Sequence, residues 1–241
     1  MRIGIFSDIH GNLPALEAVL ADLKARQLDR VYCLGDLVGY GASPNEVTAR
    51  IQAEQVSTIM GNYDDGVGFD RDECGCAYRD PEEKARGERS IAWTKAHTTP
   101  ENKAFLRTLT PEIRFETGGR RVLLVHGSPR KMNEYLFEDR PLSSFQRLAA
   151  TSEADIIVFG HTHKPYTKLV DGVWFINAGS VGKPKDGDWR ACYVIVSPGD
   201  VAEFVRLEYD VRKAAQAIRA TDLPHEFASD IERGGAAVTG A

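Results

Sequence analysis

Short apolar runs alternate along the first third of the chain with stretches whose apolar residues recur every three or four positions. Ile3 to Phe6 is too short for a helix and is predicted to be a buried strand. Asn12 and Pro14 then open an amphipathic stretch in which Leu13, Leu16, Val19, Leu20 and Leu23 share one helical face. Val31 to Leu34 is a second strand, and Pro44 to Glu54 a second helix with Ser43 at its cap. Val56 to Met60 is a third strand. Strand, helix, strand, helix, strand predicts a parallel sheet covered by helices.

From Gly61 to Pro81 the period is lost. Gly, Asp and Arg are frequent, which predicts a long loop. Pro81 to His97 and Glu101 to Leu109 are helical in composition. Residues 64–110 are therefore expected to form a cap-like insertion leaning over the sheet. Ile113 to Glu116 and Arg121 to Val125 flank Gly118-Gly119 as a hairpin would. Pro141 to Ala150 predicts a helix and Asp155 to Phe159 a strand. Tyr166–Val170 and Val173–Asn177 around Asp171-Gly172 predict another hairpin. Ala191–Val196 and Val201–Tyr209, joined by Ser197-Pro198-Gly199-Asp200, predict a third. The front of the chain thus looks parallel and the back antiparallel. Val211 to Ala220 is a last helix. Residues 1–223 are expected to form one domain and residues 224–241 a weakly structured tail.

Composition narrows the class without changing this outline. A hydrophobic fraction of 42% and a charged fraction of 27% over 241 residues are ordinary for a globular chain with a sizeable core. The net charge of −5 offers no global field for a nucleic-acid polymer or an anionic membrane. No apolar run approaches the roughly 20 residues of a membrane helix, and no signal peptide opens the chain, so a cytoplasmic protein is expected. Cys33 and Cys192 lie in apolar runs and suit a core. Cys74 and Cys76 are expected to be exposed loop thiols, with Asp70, Asp72 and Glu73 a solvated run beside them.

The polar residues at the ends of the apolar runs do change the picture. Ligands of such sheets gather at the carboxyl ends of strands. The first run ends in Asp8-Ile9-His10, the second in Gly35-Asp36 and the third in Gly61-Asn62. Val122 to Val125 ends in His126-Gly127, and Ile156 to Phe159 in Gly160-His161-Thr162-His163. Four of the six histidines in the chain sit at these ends, more than chance placement gives. Seven oxygen and nitrogen donors are too many for one tetrahedral ion and suit two ions sharing a carboxylate. Without thiolates, the set fits manganese, iron, zinc, nickel or cobalt rather than a structural zinc site; magnesium is a further candidate.

In this order, these motifs resemble those of the calcineurin-like metallophosphoesterase superfamily. Asn177-Ala178-Gly179-Ser180-Val181-Gly182 resembles its small bacterial and archaeal branch, several of whose members resemble phosphodiesterases. The resemblance implies a four-layer αββα sandwich of two mixed sheets flanked by helices. It implies one ion, manganese by preference, at Asp8, His10 and His163 and another at Asn62, His126 and His161, bridged by Asp36. It further implies hydrolysis of a small phosphoester by in-line attack of a metal-bridging hydroxide.

One position departs from the family pattern. Many members carry a histidine after the motif asparagine, where a general acid is placed; here Tyr63 stands there. A phenol is a poor general acid at neutral pH. Leaving-group protonation is then expected to fall to water, to Tyr63 or to a cap residue. A phosphodiester substrate, such as a cyclic nucleotide, follows most directly. A phosphomonoesterase, including a serine/threonine protein phosphatase, and a non-catalytic scaffold are the alternatives. Arg130, Lys131, Lys183 and Lys185 lie just past the motifs, where contact with substrate phosphate and simple solvation are both open, as are stacking and core packing for Tyr40. His97 is expected to be a solvated helix-end residue rather than a cap-borne acid. Exposed edges of the back sheet could pair two copies of the chain.

Overall fold

The computed structural model describes residues 1–78, 80–197 and 201–235. The turn expected at Pro198–Asp200 and the end of the expected tail lie outside the described residues. Ten strands and eight helices follow one another within them. β1 (Ile3–Phe6), α1 (Leu13–Ala25), β2 (Arg30–Cys33), α2 (Pro44–Ala53) and β3 (Ser57–Thr58) are the predicted parallel unit. α3 (Asn62–Gly68), α4 (Pro81–His97) and α5 (Pro100–Leu106) follow. Next come β4 (Glu112–Thr117), β5 (Arg120–Val125), α6 (Leu142–Thr151), β6 (Ile156–Phe159), β7 (Tyr166–Val170) and β8 (Val173–Asn177). β9 (Ala191–Val196), β10 (Glu203–Leu207), α7 (Val211–Arg219) and α8 (Glu226–Glu232) complete the chain.

The strands form two mixed sheets of five, ordered β10-β9-β1-β2-β3 and β4-β5-β6-β8-β7. Period-two alternation sorts their side chains into layers. Ile3 and Ile5 of β1, Val122 and Leu124 of β5, and Ile156 and Val158 of β6 meet between the sheets. Phe6 points the other way and packs with Leu16, Val19 and Leu20 of α1. Leu123 and Val125 of β5, and Ile157 and Phe159 of β6, turn outward onto Phe145 and Leu148 of α6. Helices, sheet, sheet and helix therefore stack as the αββα sandwich expected.

Several expectations are corrected. The back of the chain is not wholly antiparallel, since β5, β6 and β8 pair in parallel, and it shares a sheet with the front where β9 pairs antiparallel with β1 and brings β10 with it. Both β1 and β9 are completely apolar on the inter-sheet face, and periodicity cannot say which partner a buried strand takes. The loop expected after Gly61 begins with helix α3, seven residues long. Asp64 accepts the backbone N–H of Gly61 at 3.0 Å, and such carboxylate capping sustains a short helix despite two glycines. Val67, Ile91 and Leu106 of the cap helices join the core on the first sheet. The tail expected after residue 223 is ordered over α8, since Phe227, Ala228 and Ile231 bury themselves against α7. Three apolar residues at helical spacing sufficed there, and the surrounding polar residues masked them. No helix among the described residues is long and apolar enough to cross a membrane.

Candidate metal centre

The carboxyl ends of β1, β2, β5 and β6 and the start of α3 converge, and with them all seven residues expected as ligands. Asp8, His10, Asp36, Asn62, His126, His161 and His163 are each buried. Donor atoms of Asp8, His10 and His163 lie within 4.8 Å of one another, as do those of Asp36, His126 and His161. Asp36 stands between the two groups. Its Oδ2 is 3.6 Å from His10 Nε2 and 3.4 Å from His126 Nε2. Asn62 Oδ1 lies 3.0 Å from His126 Nε2, which puts the amide oxygen with the second group.

The backbone fixes which nitrogen each ring presents. His10 Nδ1 lies 3.0 Å from the carbonyl of Val38, His126 Nδ1 lies 2.8 Å from that of Leu34, and His163 Nδ1 contacts that of Lys183. A carbonyl can only accept, so each Nδ1 carries a proton and each neutral ring presents a bare Nε2. His10 Nε2 and His163 Nε2 then face one another at 3.2 Å with no hydrogen between them. Asp8 Oδ1 and His161 Nε2 are buried without any hydrogen-bond partner. Converging lone pairs and unpartnered acceptors are costly in a dry interior unless a cation sits among them. On this chemistry the residues fit divalent ions.

Electrostatics sets His126 apart from the other three imidazoles. Burial pushes His10 and His161 down to about 3, against the pull of the neighbouring carboxylates. His163 also lies below its ordinary value, through burial and then the charge of Lys185. His126 goes the other way, to about 10: burial opposes its charge, but the charge and hydrogen bond of Asp36, the Asp8 charge and the Leu34 carbonyl together outweigh it. Surrounding imidazoles hold Asp8 and Asp36 below the usual carboxylate range despite burial. A proton on His126 thus stands where a cation would.

Backbone conformation supplies a signal invisible in the sequence. Asp8, His10, Asp36, His161 and His163 all have φ between 50° and 63°. Left-handed backbone costs a non-glycine residue on the order of 1–3 kcal/mol and gathers at functional sites, although Asp and His tolerate it better than most. Close approach demands glycine at two flanking positions. A Cβ on Gly61 would strike the Asp36 carboxylate, and one on Gly160 would strike Ser7 Oγ and lie 2.5 Å from Asp8 Oδ2.

Further residues hold these donors in place. Asp64 accepts the backbone N–H of Asp36 at 2.7 Å and of Leu37 at 2.9 Å, and is pushed up to about 7 by burial and then by the Asp36 charge. The backbone N–H of Tyr63 donates to Asp36 Oδ1 at 2.8 Å. Asn177 donates to the Gly160 carbonyl at 2.8 Å and to Thr162 Oγ1 at 2.9 Å, and so shapes the turn between His161 and His163. Ser180 Oγ donates to the Asp8 carbonyl. Asp64 was legible only as a cap on a helix not expected there. Asn177 and Ser180 lay in a motif that the resemblance named without a role.

The structure places the remaining candidates differently. Tyr63 is 1% exposed, its ring lies edge-on to His10, and its hydroxyl pairs with Ser90 Oγ at 3.4 Å. It forms a wall behind His10, with its hydroxyl turned toward Ser90. Tyr40 packs edge-on to His10 and against Tyr63. Lys183 is buried with its Nζ 3.4 Å from Asp230 of α8 and 4.8 Å above the Tyr40 ring, so it braces the C-terminal helix. Arg130 is paired with Glu134. Lys185, by contrast, bears on both His163 and Cys76. His97 is an exposed helix-end residue stacked on Trp93. Cys74 and Cys76 are not exposed loop thiols: Cys74 is buried, Cys76 is half-buried, and both touch Asn62. Nothing in the local composition marked that fold-back.

Comparison with known proteins agrees with the fold. Residues 1–200 match the family model of the calcineurin-like phosphoesterase superfamily domain. An uncharacterized protein of Methanocaldococcus jannaschii is 37% identical, over 92% of this chain and 93% of its own. The phosphodiesterase YfcE of Escherichia coli K12 is 26% identical, over 78% of this chain and 83% of its own. The crystal structure of a metallophosphoesterase from Sphaerobacter thermophilus superposes with a TM-score of 0.75 at 30% identity, covering 97% of this chain and 99% of that one.

Proposed function

The chain belongs to the calcineurin-like phosphoesterase superfamily and is a metal-dependent phosphoric ester hydrolase, and we propose that its centre holds two ions and that its substrate is a small phosphodiester. The observation that carries the two-ion reading is the pair of buried donor groups with Asp36 between them. Asp8, His10 and His163 would hold one ion, manganese being the ion we favour, and Asn62, His126 and His161 the other. Two such ions supply an activated water for in-line displacement and neutralise charge on the phosphoryl oxygens.

The chain's own residues do the rest. The carbonyls of Val38, Leu34 and Lys183 keep a proton on each Nδ1, so Nε2 is the nitrogen each ring would offer to an ion. Asp36 is shared, and Asp64 holds its backbone in the left-handed turn that aims the carboxylate. Lys185 adds positive charge beside His163, which favours an incoming anion.

The diester reading is supported by what stands after Asn62. Tyr63 is directed to Ser90 and leaves the histidine's proton-donating place without an equivalent. An ester whose leaving group departs without strong protonation suits such a centre. The likeness to a protein named phosphodiesterase points the same way. Manganese-loaded protein assayed on bis(p-nitrophenyl) phosphate and on p-nitrophenyl phosphate tests this. We expect faster turnover of the diester, and a rate that falls steeply as leaving-group pKa rises. Preference for the monoester, or a flat leaving-group dependence, would overturn the substrate reading. Activity surviving in metal-stripped Asp36→Asn protein would overturn the two-ion reading.

A further inference from the structure

The cap loop brings a pair of thiols to the centre that the proposed chemistry does not use. Asn62 Nδ2 donates to the Cys74 carbonyl at 3.1 Å and lies 3.3 Å from Cys76 Sγ. With Nδ2 held on that side, Oδ1 is turned toward His126. The two sulfurs are 2.7 Å apart, and both thiols are free. The turn between them is Gly75, at φ 68°, whose carbonyl accepts from Asn133 Nδ2 at 2.9 Å. Cys76 is half-buried rather than enclosed, so a small oxidant can reach it.

We propose that Cys74 and Cys76 are a redox modification site: closing a disulfide between them releases the Asn62 amide and, with it, the ion of the Asn62, His126 and His161 group. The inference rests on reading that group as an ion site. Both acceptors of the amide, the Cys74 carbonyl and the Cys76 sulfur, belong to the ring that would close, so closure alters both at once. The co-reactant is a hydroperoxide. Its O–O bond breaks as the S–S bond forms, the sulfurs give up two electrons, and both thiol protons leave on oxygen. With hydrogen peroxide, two thiols yield one disulfide and two waters. A disulfide across a single residue departs from relaxed geometry. Strained disulfides are the readily reduced ones, so ordinary thiols would reopen it.

The test uses the full chain loaded with zinc, which has no redox chemistry of its own. The bound zinc is counted after desalting, before and after hydrogen peroxide, beside the intact mass and a peptide map. We expect the mass to fall by two hydrogens at the Cys74–Cys76 peptide, one of two zinc ions to leave, and reduction by a phosphine followed by fresh zinc to restore both. Cys74→Ser keeps the carbonyl and the Cys76 contact but cannot close the ring; under peroxide it should keep both ions. Cys76→Ser serves the same purpose should that variant not fold. Disulfide formation without zinc loss, equal zinc loss from the serine variant, or oxygen addition in place of a disulfide would each overturn the inference. Reduced protein that binds no zinc at all would overturn the ion-site reading beneath it as well.

Discussion

The two groups of donors are set by different parts of the molecule. Around Asp8, His10 and His163 the setting is almost wholly backbone. The Val38 and Lys183 carbonyls orient the rings, and the backbone N–H of His161 donates to Asp8 Oδ2 at 3.0 Å. The segment after β8 braces the same place, with the Val181 N–H on the Ser7 carbonyl and the Gly182 N–H on that of Asp8. Around Asn62, His126 and His161 only His126 is oriented that way, by the Leu34 carbonyl. Asn62 is held by the cap loop, and His161 packs at 4.1 Å against the ring of Tyr135, itself on a surface loop. The first group forms once the sheets form. The second also needs the cap and the Tyr135 loop in place, and loops open at lower cost than core strands. The difference teaches that the second group of donors is the one the protein can tune.

Substitutions of ligands probe that difference most strongly. Asp36→Asn removes the charge shared by both groups. Loss of outer-shell support alone costs about 10–100-fold in metal affinity or activity, so this change should cost more than about 100-fold in diesterase rate and weaken both ions, as metal titration would show. His163→Ala and His161→Ala should separate the groups, each lowering the metal content by one ion. His161→Ala should leave the ion at Asp8 and His10, and His163→Ala the ion at Asn62 and His126. Equal loss of both ions in each variant would break the comparison.

Acid should act on both groups of the metal-free protein. His10 and His161, one from each group, are held down to about 3, below their unfolded value of 6.5. A base with a depressed value stabilises the fold above its unfolded pKa and loses that contribution as pH falls, because the unfolded chain takes the proton first. The melting temperature should therefore fall between pH 6.5 and 3. His126 has the opposite sign. Held near 10, its charged form favours the metal-free fold below pH 6.5, and that contribution is lost as pH rises through 10. An ion must displace this proton, so affinity at the second group should rise about tenfold per pH unit below 10. The first group, with neutral rings, should show little such rise above pH 7.

The smallest effect is expected at Tyr63. Tyr63→Phe removes a long hydrogen bond to Ser90 and the hydroxyl contact with Tyr40, each worth about 1 kcal/mol or less. Diesterase rate should change less than about threefold. A large fall confined to substrates with poor leaving groups would return this residue to the reaction.

Much of the centre is legible in the sequence. The ends of the apolar runs carry Asp8, His10, Asp36, Asn62, His126, His161 and His163 in order, because ligands at strand ends need only a short run and a turn to identify them. Ile3–Phe6, Tyr166–Val170, Val173–Asn177, Ala191–Val196 and α4 have the bounds expected, each closed off by Gly, Pro or a polar turn. The cap loop is not legible. Cys74-Gly75-Cys76 carries no period, and what orders it is a distant amide and Asn133 rather than its neighbours. Tyr63 occupies a recognisable motif position, but a motif position does not say which way a side chain turns.

By itself, then, the sequence determined which residues could ligate and where most strands and helices lie, α3 and α8 excepted, because hydrophobic period and turn chemistry are local properties. Only the tertiary structure decided that β9 closes the first sheet beside β1 and that α8 folds back onto Tyr40. It alone turned five of the expected ligands into left-handed backbone and laid two thiols on Asn62. Those outcomes depend on contacts between residues far apart in the chain, where burial and close approach outweigh local preference.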